Sequence, residues 1–434
     1  MALLAFATAA IVSMSSARAT APAAMFRGGP AHLGVYASSA PTLRVVRWRF
    51  RPGTKIVASP VVANGVVYVG SLGGTLDALR ASGGTLLWRF PTKAAIASTA
   101  AVWDGVVVVP SIDGSVYGID AANGRRRWRF ATQGERRFTA PGIHGIPPST
   151  ELMPDPFDVF TSSPAIAGGV VYFGSGDHDV YALDARTGAL RWKFATGDVV
   201  HASPAVANGT VYIGSWDRNF YALDAATGAL RWKYRTGDDH VTHNQIGIGS
   251  SAAVGGGLVY FGARDSHVYA LDARTGAVRW VHDDHGSWVM ASPALAGGVL
   301  YFAASDEKKF FALDARTGRE HFAVPYSAFS FSSPAVVGSR AYFGAFDGVL
   351  YGVDLRSGAI AAQFLTDGAR KHRAAHLDAH GQLDFATLGS DHTYEGTVEA
   401  MYELMSLGSI IGEPVIANGT LYVGSTDGTL YALG

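Results

Sequence analysis

The chain has 434 residues, 48% hydrophobic and 16% charged, with 53 glycines, no cysteine and a formal net charge of zero. Such a balance suits a large all-β body rich in turns. It offers no basic field to draw in nucleic acid, and the absence of cysteine excludes disulfides, a lipidated cysteine anchor and the Cys-x-x-Cys-His haem motif.

In chain order, the first feature is the apolar run Met1 to Met14, too short to span a bilayer, followed by Ala17-Arg18-Ala19, which has the small-residue pattern of a signal-peptidase site. Residues 1–19 are therefore predicted to be a leader, although no Lys or Arg precedes the apolar run. The expected location is periplasmic or secreted, with no transmembrane span in the mature chain. Residues 20–42 form a lead-in segment. Val45-Val46-Arg47-Trp48-Arg49-Phe50 then alternates like a β-strand but has no repeat of its own.

From residue 43 to the end, one phrase returns eight times at a period of about 40 residues, which marks a repeat architecture. The copy from Val200 to Tyr234 shows the logic. Ala202 to Val206 is a strand entered by a proline, Asn208-Gly209 is a tight hairpin turn, and Val211 to Gly214 is a second strand. Phe220 to Leu223 makes a third, Thr227-Gly228 turns again, and Leu230 to Tyr234 is a fourth. Four short strands per repeat predict β-propeller blades. Tracking Tyr68, Val108, Tyr172, Tyr212, Tyr260, Tyr301, Tyr342 and Tyr422 sets the register for eight blades. The last repeat stops at Gly434 without a fourth strand, so the strand around Trp48 is predicted to complete it and close the ring. Trp88, Trp128, Trp192, Trp232 and Trp280 recur in the fourth strands, weaken to Phe322 and Ala362, and read as interblade core.

The stretches Tyr181 to Trp192, Tyr221 to Trp232 and Tyr269 to Trp280, with Phe26 to Tyr36 ahead of the ring, resemble the pyrroloquinoline-quinone-like (PQQ-like, quinoprotein-type) β-propeller repeat family. That resemblance implies the eight-bladed fold. It leaves activity open, because the family holds quinoprotein dehydrogenases and also propellers that bind no quinone.

Three long insertions fall in blade-to-blade links, at 131–159, 235–248 and 365–407, and all are expected on one rim, where loops on a rigid scaffold carry function. The first holds five prolines and His144 and reads as an irregular lid; the last has helical spacing from Tyr394 to Met405. Candidate ligand-binding residues on that rim are His201, Trp216, Arg218, His240, His243, Asn244, Arg264, His267 and Lys308. They are singled out because most replace the repeat's own choice. Asp217 and Asp265 are set aside as turn residues, since Asp113, Asp177, Asp306, Asp347 and Asp427 recur at the same place. The pair His240 and His243 lacks an adjacent carboxylate or cysteine and is not assigned a metal. Glu413 joins the candidates as the sole carboxylate in a ring of inner-strand hydroxyls read as Ser59, Ser98, Ser163, Ser203, Ser251, Ser292 and Ser333. Burial obliges it to meet water or a cation, or to take a proton.

Two functions are expected from this pattern. The first is a binding or scaffold propeller holding a periplasmic or envelope protein, or a small ligand, on its elaborated rim. The alternative is a PQQ-dependent dehydrogenase of an alcohol or sugar, with calcium as partner to the quinone, for which no matched set of calcium ligands is legible and the vicinal cysteine pair that many of these dehydrogenases carry is impossible.

Overall fold

The computed structural model describes residues 23–142, 150–238 and 246–434. The predicted leader at 1–19 and His144, His240, His243 and Asn244 lie outside the described residues. Eight four-stranded antiparallel sheets form the blades, each running in order from an inner to an outer strand. In the fourth blade these strands are Ala205–Ala207, Thr210–Gly214, Asn219–Asp224 and Leu230–Arg235.

The eighth blade takes Val46–Phe50 as its outer strand, paired with Leu430–Leu433 through Trp48 opposite Ala432 and Phe50 opposite Leu430. Ring closure thus joins the two ends of the chain and leaves no unpaired blade edge at the seam. The outer tryptophans latch neighbouring blades. Each indole N–H donates to a turn carbonyl in the next blade: Trp48 to Ala81 at 2.9 Å, Trp128 to Ala185 at 3.1 Å, Trp192 to Ala225 at 3.0 Å and Trp280 to Ala315 at 2.9 Å. The ring packs on the glycine of the following Thr-Gly turn. Gly228 has φ +75°, and a Cβ there would fall 2.7 Å from Trp192, so the position needs glycine on two counts. Where the aromatic weakens to Phe322 or Ala362, the indole bond is lost with it.

Most turn aspartates behave as read. Asp113, Asp177, Asp217, Asp265 and Asp427 each accept from the tyrosine hydroxyl four residues on, at 2.5–2.7 Å. Two depart. The turn around Asp306 is one residue longer, between Ala303 and Phe310, and Asp347 instead takes Arg373 and Ser327.

The lead-in segment runs along the rim opposite the insertions and plugs the channel. Inner strands are blade edges, so their outward N–H groups need acceptors. Backbone carbonyls of the lead-in supply them: Ala24 to Val102, Pro30 to Val206, Ala31 to Val254, Leu33 to Leu295 and Gly34 to Val336, at 2.6–3.0 Å. A Cβ on Gly34, at φ +67°, would fall inside the Arg27 guanidinium.

The inner-strand hydroxyls tie neighbouring blades together. All but Ser98 accept a backbone N–H from the preceding blade, as in Ser163 to Ser203 at 2.9 Å and Ser203 to Ser251 at 2.8 Å. In the second blade the member of this chain is Thr99, which donates to Ser163, rather than Ser98; the Ser98 hydroxyl turns back to the Pro110 carbonyl. The repeat lacks its proline there, which hid the register.

Candidate functional site on the insertion-bearing rim

The first insertion is pinned at its base by the short pairing of Thr139–Ala140 with Met153–Pro154. The third folds as helix Asp367–His372, capped by Thr366, and helix Tyr394–Ser406, capped by Thr393. The second helix buries Thr397, Ala400, Met401 and Leu404, a stripe offset from the Tyr394, Val398, Met401, Tyr402 and Met405 that fall at helical spacing in the sequence, and leaves Tyr402 68% exposed. The two insertions touch where the Tyr394 hydroxyl donates to the Pro154 carbonyl at 2.9 Å.

Sequence candidates gather into two clusters beneath them. In the first, His201 at the entry to the fourth blade lies between Asp158 at 2.7 Å and Glu135 at 2.9 Å. Burial by itself would lower this imidazole; the Asp158 and Glu135 carboxylates outweigh it and raise the value to about 10. The charged ring therefore clamps both ends of the first insertion to the propeller.

In the second, Trp216 stacks on Phe138 of the insertion with ring centroids 4.3 Å apart. The fully buried Arg264 lies between two indoles, 4.3 Å over Trp216 and 4.0 Å over Trp288, and is ion-paired with the insertion's Asp155. Delocalised charge and weak hydration make guanidinium the cation that tolerates such a place. Asp155, Asp158, Glu135 and Trp288 lay unremarked in the sequence. Their signal was indirect: a buried Arg and His need counter-charges, and the proline-rich insertion carries carboxylates near them.

The other candidates stand apart. Arg218, at φ +72° in its turn, is ion-paired with Asp238. His267 has Nδ1 3.6 Å from Asp265, whose carboxylate raises the imidazole. Lys308, at φ +52°, donates to Gln382 of the third insertion at 3.0 Å.

Glu413 meets a cation. Its carboxylate accepts from Arg27 Nη1 at 3.0 Å, the Arg27 backbone N–H at 3.0 Å and the Tyr36 hydroxyl at 2.9 Å. Burial pushes this carboxyl up, and Arg27 and Tyr36 pull it back. Arg27 also donates to the Pro293 and Pro334 carbonyls, both at 2.7 Å, which fastens the plug across three blades. Nearby His32, buried against Phe26, is held neutral by burial and by the Arg27 charge, at about 3.

Two cavities adjoin these clusters. The channel between plug and lid, which Glu413 and His201 help line, retains about 40 Å³. A larger cavity of about 260 Å³ lies between the two insertions over the fifth to seventh blades, walled by Phe157, Trp288, Phe329, Phe331 and Phe385, with Asp306 at its exposed edge. Among the described residues no three metal-ligating side chains converge.

Comparison with known proteins gives the family. A family model described as outer membrane protein assembly factor BamB matches residues 35–145, 137–286 and 264–398. Among solved structures, BamB from Moraxella catarrhalis is 18% identical, with a TM-score of 0.64 over 89% of this chain and 98% of that one. A europium-containing methanol dehydrogenase is 14% identical, with a TM-score of 0.68 over 93% of this chain and 90% of that one. A quinohemoprotein alcohol dehydrogenase from Comamonas testosteroni is 14% identical, with a TM-score of 0.66 over 94% and 79%. No curated protein matches. These identities speak for the shared fold, while the family model spans most of the ring: the chain belongs to the PQQ-like repeat family described as outer membrane protein assembly factor BamB.

Proposed function

We propose that the protein is an extracytoplasmic, non-catalytic scaffold whose insertion-bearing rim holds an envelope protein or a small ligand. The observation that carries this reading is the state of the polar groups there. Arg264, His201 and Glu413, the residues best suited by type to hold a quinone or take a substrate proton, are each ion-paired with carboxylates or cations of the same chain. Meanwhile the rim carries the two most exposed large apolar side chains among the described residues, Leu152 at 67% and Tyr402 at 68%. The family description, an assembly factor for outer membrane proteins, points the same way. Among the described residues no helix is long and apolar enough to cross a membrane.

The residues present do not suit PQQ. Its anionic tricycle needs cations and stacking faces free to receive it, but the channel has room for a few waters only. Among the described residues, the larger cavity is lined by a carboxylate and no Lys or Arg. Titrating the purified chain with PQQ and calcium, while following absorbance and dye-coupled alcohol oxidation, is expected to show neither binding nor turnover; tight binding with turnover would overturn the proposal. Photo-crosslinkers at Leu152 and Tyr402 are expected to give a discrete partner adduct, and the same groups at Thr187 and Thr227 on the opposite rim to give none.

A further inference from the structure

We infer that the seam between the seventh and eighth blades is a receptor for one indole ring, independent of the insertion-bearing rim. Elsewhere the fold builds the same slot and fills it from within. In the first, third, fourth, fifth and eighth blades the outer-strand tryptophan lies beside the tyrosine of its own blade, with ring centroids 5.7–6.0 Å apart. Its N–H reaches a turn carbonyl of the next blade. That carbonyl carries two donors. Ala225 accepts the Tyr172 hydroxyl and the Trp192 indole, both at 3.0 Å, and Ala273 accepts Tyr212 at 2.9 Å and Trp232 at 3.1 Å.

At the seam every part of this slot is present except the ring. Tyr342 stands where Tyr172 and Tyr212 stand, and its hydroxyl donates to the Pro41 carbonyl at 2.6 Å. Residues 40–44 thus occupy the place of the Thr-Gly turn, since the eighth blade draws its outer strand from Val46–Phe50. The outer-strand position is Ala362, opposite Gly352, so neither residue reaches into the space. A carbonyl has two lone pairs, and among the described residues that of buried Pro41 accepts Tyr342 alone.

A groove of about 760 Å³ opens at this point, walled by Leu43, Tyr342, Gly352 and Ala362. Leu43, buried at φ +62°, packs in the same cluster as Tyr342 and leaves the groove unfilled. The volume falls within the roughly 300–1,000 Å³ of most ligand pockets and admits the ring with a substituent. Chemistry selects a ring that donates. An aromatic without N–H or O–H would cover the Pro41 oxygen and leave that lone pair unmatched, a cost that indole avoids.

The test adds 5-fluoroindole to the full chain and follows fluorine NMR and the melting temperature. Saturable binding and a raised melting temperature are expected. Ala362→Trp, which supplies the ring from within, should weaken binding about tenfold or more and raise the melting temperature by itself. Ala362→Phe copies Phe322 of the sixth blade and keeps the test open should the larger ring fold poorly. In competition against the fluorinated probe, 1-methylindole, the same ring with no N–H, should bind about fivefold less tightly than indole. Absence of saturable binding, binding undiminished in both Ala362 variants, or equal affinity for 1-methylindole would overturn the assignment. The same competition reads the source of the ring: tighter capture of N-acetyltryptophanamide than of indole assigns the slot to a partner's tryptophan side chain, and the reverse order to a small molecule.

Discussion

The two rims of this propeller are held in different ways. On the plugged rim, stability is periodic: the same Asn-Gly and Thr-Gly turns and the same indole-to-carbonyl latch recur, and one strip of backbone caps successive inner strands. On the insertion-bearing rim the turn aspartates repeat, but the long loops that cross it do not. Two unique clusters, His201 with Asp158 and Glu135 and Arg264 with Asp155, hold the first insertion. A repeated contact spreads a load over many sites. A unique charged clamp concentrates it, and its loss frees one loop while the ring persists.

The largest effect expected is at the plug. Glu413→Ala leaves Arg27 buried without its counter-charge, and urea unfolding should show a loss of about 3–5 kcal/mol; a loss below about 1 kcal/mol would mean that the plug contributes little to the ring. Next comes one latch. Trp192→Ala removes a buried ring and its hydrogen bond and should cost about 3 kcal/mol, while Gly228→Ala, which presses a Cβ on the same ring at positive φ, should cost more than about 1 kcal/mol. If either left the melting temperature unchanged, the periodic latch would not be what holds the blades.

The clamp on the other rim is sharpened by pH. The folded-state value of His201, about 10, lies above its ordinary 6.5. The stabilisation it brings is thus complete below pH 6.5 and is lost as pH rises through about 10. The melting-temperature gap between the native chain and His201→Gln should be widest near pH 6 and narrow toward pH 10, with hydrogen exchange rising first in the described part of the first insertion. A gap that widens with pH would reverse the charge assignment. The smallest effect is at Lys308, whose positive φ suits glycine and whose bond to Gln382 is solvent-facing. Lys308→Gly should shift stability by less than about 1 kcal/mol in either direction.

Much of the ring was legible along the chain because short-range patterns state it: Asn208-Gly209 demands a hairpin, Leu230 to Tyr234 alternates, and Trp48 supplies the strand that the last repeat lacks. The helix near Tyr394 was legible too, yet its buried stripe falls on Ala400, Met401 and Leu404, since the surface it meets comes from other blades. Thr99 escaped notice because its repeat had lost the proline marker. Helix Asp367–His372 was hidden in a polar run whose cap, Thr366, looked like an ordinary strand end.

What the amino-acid order determined alone was the repeat, the blade count, the seam and the rim on which the insertions fall, all consequences of local turn chemistry and a two-residue strand period. What the tertiary structure decided was the fate of the odd charges. Arg27 lies 386 residues from Glu413, Asp155 109 from Arg264, and Glu135 66 from His201. Pairing across such separations depends on how a closed ring folds its ends and insertions back over one channel, and no local pattern encodes that distance.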